Sequence, residues 1–189
     1  MTTDAVSTDP PAVKPRRAEA WRSPTTPDWS RERKAFWEWS PSRSLLASLR
    51  THQRLAGSHR PWQVVLRKLA FLRHRFWSVV TASDIPLGTR IGGGLLLPHP
   101  TGVVMHGDVE LGPNCLVFQG VTLGASEEGV PRIGGHVDIG AGAKVIGPVS
   151  VGDHAQIGAN AVVVSDVPPW ATAVGVPARV ILRAPTEGD

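Results

Sequence analysis

The sequence predicts a mainly β protein, a left-handed parallel β-helix of hexapeptide repeats preceded by an N-terminal α-helical segment. Three observations predict this fold. Aliphatic residues recur at every sixth position through the C-terminal half, a small or β-branched residue follows four positions later, and a glycine often follows directly. A period of six fits neither an α-helix nor an alternating strand. It is typical of a coil with three six-residue faces, stacked on further coils.

The longest unbroken run of the repeat begins at Ile133. Its aliphatic residues are Ile133, Ile139, Val145, Val151, Ile157 and Val163. The residues four positions after these are Val137, Ala143, Val149, Ala155, Ala161 and Val167. We expect the first set to point inward and stack from coil to coil, and the second to fill the corners. Shorter runs with the same spacing cover residues 85–103 and 105–123.

The segment 125–132, with the sequence ASEEGVPR, interrupts the spacing between Leu123 and Ile133. We expect these residues to form a loop that leaves the coil. Loops that interrupt a rigid repeat often form its binding surface, so this loop is a candidate part of a functional site.

The chain divides into four parts by composition and pattern. We expect a disordered arm, because the first residues are rich in Pro, Ser, Thr and charge, then an α-helical segment, the β-helix and a short tail. These parts cover residues 1–30, 31–83, 84–181 and 182–189.

Three helices are predicted in the second part, over residues 31–40, 41–57 and 60–80. The last is the strongest prediction, because its apolar residues recur at helical spacing. These residues are Val65, Leu66, Leu69, Leu72, Phe76 and Trp77. Basic residues occupy other positions, so the helix is amphipathic. We expect the apolar face to pack on the following domain or on another subunit, and contact with a membrane surface is the alternative.

The net charge of +4 conceals an asymmetry along the chain. Residues 1–83 carry 15 Lys and Arg against 6 Asp and Glu, whereas residues 84–189 carry 5 against 10. A basic segment could bind nucleic acid, a membrane surface or an acidic partner. A solvated arm and a helix with a basic face explain the excess equally well, and we expect no nucleic-acid partner.

Cysteine content and hydropathy limit the class of protein further. The single cysteine, Cys115, excludes an internal disulfide and a site of clustered cysteines, and we expect no metal. Apolar runs are shorter than the roughly 18 residues of a membrane-spanning helix. The N-terminus lacks the apolar stretch of a secretory signal. We therefore expect a cytoplasmic protein.

Motifs along the repeat resemble those of a known family, the serine acetyltransferase branch of the left-handed β-helix acyltransferases. The matching stretches are DIPLGTRIGGGLLLPHPTGVVM (84–105), QGVTLGA (119–125) and IGAGAKVIGPVSVGDHAQIGANAVVVSDVPPWATAVGVPARVI (139–181). The resemblance implies an O-acetyltransferase that uses acetyl-CoA. It also implies a homotrimer with active sites in clefts between neighbouring prisms, with a dimer of trimers as a larger assembly.

The resemblance assigns His99 as the catalytic general base and Asp84 as the carboxylate paired with it. The chemistry suits these residue types. An imidazole near neutral pH is a good base, and a carboxylate on its other nitrogen fixes the tautomer. Pro98 and Pro100 restrict the backbone on both sides of His99. The alternative for His99 is a polar corner residue that hydrogen-bonds only to the backbone.

For acetyl-CoA, the resemblance implies small residues and backbone groups along successive coils. These are Gly124, Ala125, Ala141 and Ala159. Lys144 and Arg179 are candidate partners for the CoA phosphates, because each carries a positive charge. An amide at Gly124 or Ala125 is a candidate donor to the thioester oxyanion.

The acceptor is less well defined. His106 and Arg132 are candidate contacts to it, although His106 could equally be a surface corner residue. Pro98 stands where serine acetyltransferases usually have aspartate, and Gly129-Val130-Pro131 where they have Arg-His-Pro. L-serine, in cysteine biosynthesis, is the first expectation. A sugar or another small hydroxyl compound is the alternative, and a catalytically silent trimeric scaffold is the third.

Overall fold

A computed structural model describes residues 23–35, 37–57 and 59–182. In it a parallel β-helix follows two α-helices, which confirms the predicted fold class. The predictions for the first 22 residues of the arm and for tail residues 183–189 lie outside the described residues.

Two α-helices precede the β-helix, α1 (Pro41–Arg54) and α2 (Pro61–Thr81). Each begins with proline, which lacks an N–H that the first helical turn would leave unpaired. The chain leaves α1 through Gly57 and α2 through Ala82, both with left-handed backbone (φ +79° and +48°). The helices predicted over 41–57 and 60–80 are thus confirmed.

The helix predicted over 31–40 is wrong beyond its first two residues. A short 3-10 helix covers Trp29–Glu32, and the described residues 33–35 and 37–40 are not helical. The Glu38 carboxylate folds back to accept the Ala35 N–H at 3.2 Å. Pro41 also disfavours helical backbone at the residue before it.

The β-helix has three faces formed by short strands. Face 1 contains β1 (Arg90–Ile91), β3 (Glu110–Leu111), β6 (Arg132–Ile133) and β9 (Ser150–Val151). Face 2 contains β4 (Leu116–Val117), β7 (Asp138–Ile139), β10 (Gln156–Ile157), β12 (Thr172–Val174) and β13 (Arg179–Ile181). Face 3 contains β2 (Val104–Met105), β5 (Thr122–Gly124), β8 (Lys144–Ile146) and β11 (Val162–Val163). All neighbouring strands are parallel except β12 and β13.

The inward stack follows the six-residue spacing. On face 2, for example, Val117, Ile139 and Ile157 are in register, and each is at most 3% exposed. The aliphatic and corner residues predicted from the repeat are all buried. The predicted interruption at 125–132 is a loop as far as residue 131, because Arg132 already belongs to β6, and the Ser126 N–H donates to the Gly129 carbonyl at 2.9 Å.

Helix α2 contacts the rest of the chain through a narrow face that includes Ala70, His74 and Thr81. His74 is 4% exposed and lies 2.8 Å from the Ile85 carbonyl and 3.3 Å from the Ser48 hydroxyl. Burial lowers the pKa of the His74 imidazole, with smaller opposing effects from its backbone hydrogen bonds. This histidine joins α1, α2 and the first residues of the β-helix.

The apolar face of α2 does not pack on the following domain within one chain, so of the two packing alternatives only contact with another subunit remains, as a prediction. The side chains of Val65, Leu66, Leu69, Leu72 and Phe76 are between 44% and 62% exposed, and Trp77 alone of the predicted set is half-buried. The hydrogen bonds of His74 turn the opposite face inward. Among the described helices, none is long and apolar enough to cross a membrane.

The segment before α1 is fixed to the first coils by two polar side chains, one buried and one half-buried. The Asn114 side chain is 1% exposed, accepts the Asp28 N–H and donates to the carbonyls of Ser23 and Thr26. Arg50 of α1 donates to both Glu32 carboxylate oxygens and to the carbonyls of Ile91 and Gly92. The first coil, which carries His99, is therefore closely tied to the N-terminal segment.

Candidate active site

His99 lies in the turn that joins face 2 to face 3 in the first coil, and its side chain is exposed. The turn is anchored on both sides, because Leu97 and Val103 are at most 2% exposed and belong to the inward stack. Pro98 is exposed and Pro100 is half-buried. The two prolines fix φ around the histidine. The imidazole therefore projects into solvent from a restrained backbone.

Hydrogen bonds to the next coil and to the end of α2 restrain this turn further. The Thr101 carbonyl accepts the Gly120 N–H of the next coil at 2.9 Å. The Gly102 N–H donates to the Ala82 carbonyl at 2.8 Å. The turn can therefore hold His99 in a constant position without relying on contacts of the imidazole itself.

Asp84 lies at the start of face 3, where it pairs with Val104 of the next coil. Its N–H donates to the Val103 carbonyl, and its carbonyl accepts the Met105 N–H. Its side chain is exposed, and no hydrogen bond joins the described side chains of Asp84 and His99. Catalytic hydrogen bonds often tighten only when substrate binds, so the pairing stays a prediction.

The turns between face 2 and face 3 stack above His99 in successive coils. Ala141 and Ala159 occupy two of these turns, and the Asn160 N–H donates to the Ala141 carbonyl at 2.8 Å. Gln119 holds the equivalent position in the coil between them and His99, so the small side chains begin two coils above the histidine. The structure thus brings two predicted acetyl-CoA contacts onto the same edge as His99.

Both candidate phosphate partners lie near the same edge. Lys144 Nζ donates to the carbonyls of Gly120 and Gly142 at 2.7 and 3.0 Å, which leaves one ammonium proton for a ligand. Arg179 is exposed in β13, directly after Ala178. The Ala178 N–H donates to the Val162 carbonyl of face 3 at 2.8 Å, so Arg179 begins next to this face.

The other predicted residues lie on the opposite edge of face 3 or beyond it. Gly124 ends β5, and Ala125 begins the exposed loop. His106 is exposed at the corner between face 3 and face 1, with its Nδ1 3.3 Å from the Asp108 amide nitrogen. Arg132 is exposed on face 1. Within one chain these four residues do not meet His99.

Cys115 is not a candidate nucleophile. Its side chain is buried, with Sγ 3.2 Å from the Gly134 carbonyl oxygen. Burial raises the pKa of the thiol to about 12, so it stays protonated at neutral pH. In the described part of the chain, no group of three or more His, Cys, Asp or Glu side chains could hold a metal ion.

A cavity of about 230 Å³ lies beside Pro98, and the sequence analysis did not identify its charged residues. The N-terminal side of the cavity is formed by polar residues, among them Arg31, Glu38 and Arg43. Because residues 31–40 were interpreted as a helix, nothing in the sequence pattern placed these side chains next to the histidine turn.

The known proteins that this chain resembles in sequence and in structure carry the same name. No family model matches the chain. A serine acetyltransferase of Mycobacterium tuberculosis is 44% identical over 128 residues, which cover 66% of this chain and 56% of that protein. A solved serine acetyltransferase in complex with CoA is 36% identical with a TM-score of 0.62, and the match covers 76% of this chain and 57% of that chain.

A soybean serine acetyltransferase solved with serine is 34% identical with a TM-score of 0.56, and the match covers 73% of this chain and 70% of that chain. The chain spans about half the length of the curated relatives it matches. The matches agree with the observed fold. The chain therefore belongs to the serine acetyltransferase-like branch of the hexapeptide-repeat acyltransferases.

Proposed function

We propose that this protein transfers the acetyl group of acetyl-CoA to the hydroxyl of a small acceptor, with L-serine as the first acceptor. The observation that carries this proposal is the exposed His99 on a doubly restrained turn, on the same edge as the turns that contain Ala141 and Ala159. Family membership supports the same activity, because the relatives are named serine acetyltransferases.

In the proposed reaction His99 is the general base. A hydroxyl is a weak nucleophile until a base removes its proton. The neutral imidazole accepts that proton as the hydroxyl oxygen attacks the thioester carbonyl. The carbon–sulfur bond then breaks, the CoA sulfur leaves and takes up the proton, and the acetyl ester remains on the acceptor. Asp84 would orient the imidazole and stabilise its charged form.

Acetyl-CoA is the proposed acetyl donor. An extended ligand would lie along the turns that contain Ala141 and Ala159, on the edge above His99. The free proton of the Lys144 ammonium and the exposed guanidinium of Arg179 are available to phosphate groups near this edge. A solved relative is a complex with CoA, which supports this choice of donor.

We also propose a homotrimer, with a dimer of trimers as the alternative larger assembly. His99 and the candidate oxyanion donors Gly124 and Ala125 lie on opposite edges of face 3, so one chain cannot place them around one thioester. A neighbouring copy that presents its loop edge to the His99 edge would complete the site. His106 and Arg132 would then reach the acceptor from that neighbour.

Release of the CoA thiol tests the proposal directly. Full-length protein is mixed with acetyl-CoA and, in separate reactions, L-serine, homoserine and a panel of sugars. We expect L-serine to stimulate thiol release well above the rate of hydrolysis without acceptor. Thiol release with sugars alone would contradict serine as the acceptor. If no acceptor stimulates thiol release, the proposed acetyltransferase activity is contradicted.

A further inference from the structure

The cavity beside Pro98 has the composition of a recognition site for a small charged molecule. It lies between the N-terminal segment, the start of α1 and the first coil. Apolar residues form one side, and polar or charged side chains form the other. The lining residues are Arg31, Glu38, Ser40, Ser42, Arg43, Leu46, Leu95, Leu96, Leu97 and Pro98.

A carboxylate and a guanidinium lie next to each other in this cavity. Arg43 Nη1 donates to Glu38 Oε1 at 3.1 Å, and the two side chains are 34% and 41% exposed. The other carboxylate oxygen, Oε2, accepts the Ala35 N–H, which fixes Glu38 in the loop. An ionised carboxylate has about four acceptor positions, and arginine has five N–H donors. Glu38 can therefore accept a further hydrogen bond, and Arg43 can donate further ones.

This arrangement matches the charges of an α-amino acid. A free amino acid carries an ammonium and a carboxylate on one carbon, so the two charges are close together. A carboxylate and a guanidinium side by side can bind both ends, and hydrogen bonds between charged groups are stronger than neutral ones. A neutral sugar has no charge to interact with either group, so it would gain hydrogen bonds from this pair but no opposite-charge contact.

The volume and position of the cavity suit an acceptor of this size. A cavity of about 230 Å³ has room for a small organic molecule, and serine is a small molecule. Pro98 lines the cavity and directly precedes His99, and consecutive Cα atoms are about 3.8 Å apart. A ligand in the cavity is therefore next to the turn that carries the imidazole.

We propose that Glu38 binds the ammonium and Arg43 the carboxylate of an amino-acid acceptor, and that together they present its hydroxyl to His99. This inference rests on the proposed function and adds two acceptor-binding charges, one from the segment before α1 and one from the start of α1.

Two variants test the assignment by steady-state kinetics and by calorimetric binding of L-serine to the full chain. Glu38→Gln and Arg43→Gln each remove one charge and keep most of the side-chain volume. We expect the KM for L-serine to rise roughly 10- to 100-fold, as for loss of a hydrogen bond between charged groups. The KM for acetyl-CoA and kcat should change less than about threefold.

A matched control uses another exposed ion pair, Arg90 with Glu110, which lies on face 1. Glu110→Gln removes the same kind of charge outside the cavity and should leave both KM values unchanged. If the control raises the serine KM as much as Glu38→Gln, the effect is general and the assignment is overturned.

Ligand analogues separate the two charges. L-serine methyl ester lacks the carboxylate, and 3-hydroxypropionate lacks the ammonium. We expect Arg43→Gln to weaken binding of L-serine but not of the ester, and Glu38→Gln to weaken binding of L-serine but not of 3-hydroxypropionate. Equal weakening of a ligand and its analogue would contradict the assignment.

The outcomes for the cavity and for the proposed function are distinguishable. If the protein binds L-serine through both charges but transfers no acetyl group, the function fails and the cavity assignment stands. If it acetylates L-serine with a KM that neither variant changes, the assignment alone fails. If it neither binds nor acetylates L-serine, the assignment is overturned as well.

Discussion

The β-helix and helix α2 both carry regular apolar patterns, yet they use them in opposite ways. In the β-helix the repeated aliphatic residues are buried; Leu123 and Ile139, for example, have no exposed surface. In α2 the repeated apolar residues face outward, and Leu72 is 62% exposed. The buried residues of α2 instead include a histidine and a threonine.

This difference shows under which condition a regular spacing of apolar residues predicts that those residues are buried. Each coil of the β-helix packs on coils of the same pattern, so the spacing determines both the fold and the inward face. A helix buries whichever face its neighbour covers, and that neighbour is not encoded in the period of the helix. The hydrogen bonds of His74 to Ser48 and Ile85 select the inward face of α2.

The largest expected effect comes from matched leucine substitutions in the two regions. Leu123→Ala opens a cavity in a close-packed stack and should lower the free energy of unfolding by about 2–5 kcal/mol. Leu72→Ala removes an exposed side chain and should change it by less than about 0.5 kcal/mol. Denaturant unfolding measures both values. Equal losses would contradict the comparison, since Leu72 would then be buried in solution.

A smaller effect concerns pH and His74. Because burial lowers the pKa of its imidazole, the unfolded chain binds a proton more readily than the folded chain. The contribution of neutral His74 to the free energy of unfolding is therefore fully present above the pKa of the unfolded chain, about 6.5. It is lost as the pH decreases below that value. The slope for one group is at most about 1.4 kcal/mol per pH unit.

Unfolding free energies between pH 7.5 and 5 in wild type and in His74→Gln measure this slope. We expect the substitution to reduce it. His52→Gln is the control: the pKa of His52 is lowered in the same direction, but the side chain is only half-buried, so most of the slope should remain. An unchanged slope in His74→Gln would show that other groups cause the pH dependence.

The sequence predicted the fold and the position of His99 well, because both depend on the local repeat. The spacing that puts Leu97 and Val103 inward also leaves the residue between them in the connecting turn. It was harder to predict which of the candidate site residues lie close to one another. The repeat assigns Gly124 and His99 to coils, but it does not show that they lie on opposite edges of face 3.

Glu38 and Arg43 were missed for a different physical reason. Glu38 lies in a charged segment with helix-forming residues, and its actual conformation depends on hydrogen bonds to the Ala35 backbone and to Arg43. The cavity also requires residues 95–98, more than 50 positions later. Contacts at such sequence separation have no local signal.

The most direct test of the account is the turnover number of His99→Ala with acetyl-CoA and L-serine. We expect a folded protein whose turnover is roughly 10²- to 10⁴-fold lower, the loss typical of a missing general base. His59→Ala, which changes an exposed histidine between α1 and α2, should retain full activity. A folded His99→Ala protein with the wild-type turnover would contradict the central claim.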